Sequence, residues 1–125
     1  MPWRSTQPNL GFSDVSPWLP LGATHGPLAV NVQETADSST LRFTRQCLHW
    51  RKGLAALRHG SMHIIEAGEA LLVFERAAEG QRLRCTFNLS ADMLPFRASG
   101  RELISTGDAR GGSLPPYAGT IEEIV

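Results

Sequence analysis

The chain has 125 residues, 42% hydrophobic and only 19% charged, enough apolar content for one packed domain and too little charge for bulk disorder. Twelve basic and twelve acidic side chains cancel, so the electrostatic footprint of a nucleic-acid binder is missing. Two distant cysteines, Cys47 and Cys85, make no disulfide framework, and no apolar run approaches membrane-spanning length. The N-terminus lacks the pattern of a secretory signal, so a reducing, cytoplasmic setting is expected, with no nucleic acid and no membrane as partner.

Residues 1–36 read as one long irregular loop, punctuated by Pro2, Pro8, Pro17, Pro20 and Pro27. Two of the three tryptophans, Trp3 and Trp18, fall in it beside Phe12, Leu19 and Leu21. Such a segment cannot bury large rings against itself, so it is expected to lie over another body. One helix follows. Asp37, Ser38 and Ser39 are competent N-caps, and Gly53 is the expected end. Phe43, Cys47, Trp50 and Leu54 form a narrow apolar stripe, while Leu41 and Leu48 lie on another side. Two apolar patches predict contact with two bodies.

From about residue 56 the period changes to two. Leu83, Cys85, Phe87 and Leu89 alternate with polar residues and should share one buried face. The apolar run 70–74 pairs with that strand through a turn over 77–81, and further strands are expected at 62–66, 94–98, 101–104 and 120–125. The fold class is therefore mainly β: an antiparallel β-sandwich preceded by a long irregular loop and one α-helix.

Chemistry-bearing residues are few. Glu122 and Glu123 are neighbours on a predicted strand and point to opposite faces, Glu66 and Glu69 flank a turn, and all the acids read as solvated or capping groups. His59 and His63 are four apart but straddle Gly60 at a strand start, so no metal site is assigned. Both cysteines read as small buried hydrophobes. The glycine-rich stretch 107–112 leads into Leu114-Pro115-Pro116 rather than a helix, which argues against a phosphate cradle. Asn88-Leu89-Ser90 matches a glycosylation acceptor inside a predicted strand. No catalytic residue, metal or cofactor is assigned.

A series of short motifs carries a resemblance. Met1-Pro2-Trp3, Asn9-Leu10-Gly11-Phe12-Ser13, Pro17-Trp18-Leu19-Pro20, Asn31-Val32 and Leu41-Arg42-Phe43-Thr44-Arg45 occur in that order. Trp50-Arg51-Lys52, Ala56-Leu57-Arg58, Phe87-Asn88-Leu89-Ser90 and Leu114-Pro115-Pro116-Tyr117 follow. The set resembles the C-terminal third of alpha-glucosidases of the alpha-amylase group of glycoside hydrolases, including oligo-1,6-glucosidase-like members. The chain departs from many members at Arg4, where they carry an acidic residue, and at Gly53-Leu54-Ala55.

The resemblance implies that residues 1–58 are the end of a catalytic (β/α)8 barrel, its last loop and final helix, and that residues 59–125 are a C-terminal antiparallel β-sandwich. It implies a missing barrel as partner, with the catalytic carboxyls upstream of Met1 and an oligosaccharide met only through the parent enzyme. Trp3 and Phe12 become candidate substrate-binding residues on the active-site rim, or else anchors that pin the loop to the barrel. Trp18 is expected in packing. The chain alone is expected to be inactive and to self-associate. The alternative reading is a stand-alone β-sandwich module that binds carbohydrate or protein.

Overall fold

A computed structural model describes residues 1–107, 109 and 112–125. Contacts divide the chain into two compact units, Met1–Trp50 and Arg51–Val125. The second is an antiparallel sheet in the order β1-β2-β3-β7-β5, made of β1 (Ser61–Ala67), β2 (Leu71–Ala78), β3 (Gln81–Asn88), β7 (Gly119–Ile124) and β5 (Arg101–Thr106). A two-stranded sheet of β4 (Leu94–Pro95) and β6 (Ser113–Leu114) completes a mainly β, antiparallel architecture, as expected from the period of two.

The β2–β3 hairpin is tight. Ala78 pairs with Gln81, so only Glu79 and Gly80 turn the chain, at φ 54° and 77°. Two successive left-handed residues give the primed turn whose twist suits antiparallel strands. Both strands therefore run further into the expected 77–81 turn than their apolar residues suggested. At the other end of the sheet, a Cβ on Gly119 would come within 2.5 Å of the Phe87 ring, so only glycine lets β7 lie this close.

Both faces of β3 are covered. Leu83 and Cys85 are buried on one face, where Phe74 and Phe87 stack at 6.0 Å between ring centroids. Thr86 and Asn88 are buried on the opposite face. There Asn88 Nδ2 donates to the carbonyls of Asp92, Leu114 and Pro115 and draws β6 to the sheet. Leu114, Ala109 and Ala118 form a small core joined by Leu71 and Phe96. Leu89, expected on the buried face, lies past the end of β3 and is half exposed. Alternation says which residues share a face, but not how far the neighbouring strands reach.

Helix α3 (Ala55–His59) falls where the sequence suggests the change to a period of two. Five residues are too few for a period to show, and packing decides the conformation. It packs on β2 and β3, with Ala56 fully buried. Arg76 donates to the carbonyls of Ala56 and Gly60 at the helix C-terminus, where cations are favoured. Ala56 N–H donates in turn to Gln81 Oε1.

The first unit is less irregular than its sequence suggests. A tight turn covers Pro8–Gly11, and α1 covers Val30–Thr35. Main-chain bonds make α1: Val30 N–H donates to the Pro2 carbonyl and Asn31 N–H to that of Trp3. Those partners lie almost thirty residues away, so the local sequence holds no record of them. Helix α2 (Thr40–Gly53) ends where Gly53 predicted, and Ser39 is the cap, its Oγ accepting from Arg42 N–H at 3.2 Å.

Candidate functional site

The aromatic loop is built on a backbone frame. Trp3 N–H and Arg4 N–H both donate to the Leu10 carbonyl at 2.9 Å. Asn9, Leu10 and Gly11 follow one another in left-handed conformation, at φ 49°, 55° and 67°. Asparagine and glycine tolerate that region best, and Asn9 uses its side chain as well. Its Nδ2 donates to the carbonyls of Ser13 and Val15 and so folds the chain back after Phe12. Asn31 locks the other side: Ser5 N–H donates to its Oδ1, and its Nδ2 donates to Ser5 Oγ. Asn9, Gly11 and Asn31 thus serve as frame, leaving the rings free.

The rings themselves are open. Trp3 is 46% exposed, Phe12 64% and Trp18 91%. Phe12 and Trp18 line one apolar cleft of about 390 Å³ together with Leu10, Leu19, Leu21 and His25. Trp3 does not line it, so the two candidate rim residues share a frame but not a cleft. Trp18, expected in packing, packs against little within this chain. The reason is local: Pro17 and Pro20 restrict the backbone, and Leu19 between them is itself exposed and leaves the indole uncovered. Helix α2 contains no buried residue, and Phe43 and Leu48 are exposed.

The remaining candidates resolve as follows. Cys85 is buried, and burial pushes its thiol up to about 11, the reverse of an activated nucleophile. His63 is exposed on β1, while His59 Nε2 lies 2.9 Å from Glu79 Oε1. Asn88 donates to three carbonyls and is buried, which takes the glycosylation pattern out of reach in the folded chain. Residues 108, 110 and 111 of the glycine-rich stretch lie outside the described residues.

Glu122 corrects the reading of the acids as solvated or capping groups. It is 1% exposed, its Oε1 accepts the Ser99 N–H at 3.0 Å, and its Oε2 has no partner. The segment carrying Ser99 closes over it, a contact that residue type alone does not reveal. Beside it Arg84 and Arg82 bond Glu75 at 2.7 and 3.0 Å, and Arg101 pairs with Glu123. Hydrogen bonds from Arg84 above all, then Arg82, hold the Glu75 carboxyl below its usual range despite burial. These guanidinium groups line a cleft of about 640 Å³, but their charge is already spent on carboxylates of the same sheet.

What fold and site define is a small antiparallel β domain preceded by an apolar, aromatic-rich loop, without an assembled set of catalytic groups among the described residues. The family described as "Domain of unknown function (DUF3459)" matches residues 60–121, which take in most of this β region. The "Probable alpha-glucosidase" of Rhizobium meliloti (strain 1021) is 40% identical over 90 residues, 72% of this chain and 16% of that protein. The crystal structure of an alpha-glucosyl transfer enzyme, XgtA, superposes with a TM-score of 0.79 at 36% identity, covering all of this chain and 25% of that one. The trehalulose synthase MutB from Pseudomonas mesoacidophila MX-45 shares the fold, with a TM-score of 0.84 at 20% identity over 98% of this chain and 24% of that one. The chain thus corresponds to a minor part of each relative, and the resemblance to alpha-glucosidases seen in the sequence holds.

Proposed function

We propose that this chain is the C-terminal part of an alpha-glucosidase-type glycoside hydrolase acting on alpha-linked glucosides. Residues 1–58 complete the end of a (β/α)8 barrel, and residues 59–125 form its C-terminal β domain. The observation that carries this reading is the uncovered apolar surface of the first unit, with Trp18 91% and Phe12 64% exposed on a backbone held in place by its own hydrogen bonds. An ordered loop that presents open rings is built to meet another body.

Retaining hydrolysis needs a nucleophile and an acid/base carboxyl about 5–5.5 Å apart. In this proposal the barrel supplies both, and the chain contributes shape and hydrophobic contact. Trp3, with its backbone bonded on both sides, offers a steady ring to the apolar face of a sugar, and Phe12 widens the same rim.

The test is reconstitution. The 125-residue chain is produced alone and together with the barrel portion of a relative that lacks the matching region. The chain alone should not hydrolyse an aryl alpha-glucoside, and the pair should form a stable complex that does. Trp3→Ala and Phe12→Ala should then raise KM several-fold with little change in kcat. Failure to form any complex would refute the proposal. A saturable tryptophan fluorescence change when the isolated chain is titrated with malto-oligosaccharide would favour a stand-alone binding module instead.

A further inference from the structure

Strand β1 is an edge of the five-stranded sheet, and every one of its seven residues is exposed, among them Met62, Ile64 and Ile65. Its outer side carries a row of backbone N–H and C=O groups that no strand among the described residues meets. Long apolar edges invite pairing, and proteins normally blunt them with charge, proline or a bulge. The opposite edge follows that rule, since β5 opens with Arg101 and Glu102. Strand β1 has a bulge, and the bulge has an unusual consequence.

Ile65 is the extra residue: Ile64 pairs with Phe74 and Glu66 with Val73. His63 lies opposite Glu75, which is on the same face of β2 as Val73, so the bulge brings His63 and Glu66 onto one face. Met62 and Ala67, opposite Arg76 and Leu72, share the other. In a regular strand, residues three or five apart would point to opposite faces. With the bulge, two copies of β1 laid antiparallel about a two-fold axis between Ile64 and Ile65 match face for face. His63 of one copy meets Glu66 of the other, twice, Met62 meets Ala67 twice, and the isoleucines meet at the axis. Among the described residues, no ion pair or side-chain hydrogen bond engages His63 or Glu66.

We propose that β1 is a self-complementary dimerisation edge, joining two copies of this chain into one continuous ten-stranded antiparallel sheet. The occupant is a second copy because the match is isologous: the charges and faces fit when the strand meets itself in this register. This proposal is independent of the proposed enzymatic role, since it uses none of the loop or helix surface assigned to the barrel.

The experiment is sedimentation velocity of the full chain across a concentration series, with the wild type forming a reversible dimer. His63→Glu places like charges opposite each other twice and should weaken dimerisation roughly ten-fold. The reciprocal double variant His63→Glu with Glu66→His exchanges the partners and should restore it to near the wild-type value. Trp18→Ser, on the loop, should leave it unchanged. Far-ultraviolet circular dichroism and the unfolding midpoint report whether each variant is folded, and these exposed positions should not move them. Two results would overturn the proposal: a monomeric wild type, or association abolished by Trp18→Ser yet indifferent to the β1 exchange.

Discussion

Asn88 performs a task that its sequence context hides. Its amide donates to the Asp92, Leu114 and Pro115 carbonyls, while its Oδ1 accepts from Ser90 N–H and Oγ. Asn88→Ala strands those groups in a buried site and should destabilise the β unit by about 1–3 kcal/mol in denaturant unfolding. Glu122→Ala should likewise orphan the Ser99 N–H, whereas Glu122→Gln retains the acceptor, so the amide variant should be the more stable of the two. Cys85 gives a pH prediction of definite sign. Its folded thiol is raised from 9.0 to about 11, chiefly by burial, so its contribution to stability is complete below the unfolded value and drains away as the pH climbs through that window. Unfolding midpoints should fall between those limits, and Cys85→Ala should flatten the fall. The sequence assigned Cys85 to a core because alternation carries that information, while Glu122 was legible only as an acid on a strand.

At the scale of the element, the β2–β3 hairpin concentrates both turn strain and charge. Gly80 holds φ 77°, so Gly80→Ala should cost about 1 kcal/mol while leaving room for the methyl group, as nothing lies within 4 Å of its Cβ position. Glu75 is held ionised by Arg84 and Arg82, and a carboxyl with lowered pKa adds stability that is present at neutral pH. That stability disappears as acid carries the pH below the ordinary carboxylate range. Acid unfolding of Glu75→Gln should therefore begin from a less stable state and show a shallower dependence on pH. Helices α1 and α3 were invisible as elements because six and five residues cannot display a period, and partners far along the chain hold them. Helix α2 was legible in its serine cap and terminal glycine, but Leu54 of the expected stripe falls beyond its end and Phe43 is exposed.

At the largest scale, the β unit has a real core, whereas Trp3, Phe12 and Trp18 of the first unit are exposed. Tryptophan emission of the isolated chain should be red-shifted and a hydrophobic dye should bind it; a blue-shifted spectrum without dye binding would contradict the exposure of Trp3 and Trp18. By itself the sequence determined the mainly β class, the position of the long helix and the resemblance to alpha-glucosidases. Those rest on periodicity, capping and ordered motifs, all of which are local or additive along the chain. Only the tertiary structure decided that Phe12 and Trp18 share a cleft that Trp3 does not, that Glu122 is sealed in, and that one bulged residue aligns His63 with Glu66. Each of these depends on which distant segments meet and in what register, and contact geometry of that kind leaves no mark on the order of neighbouring residues.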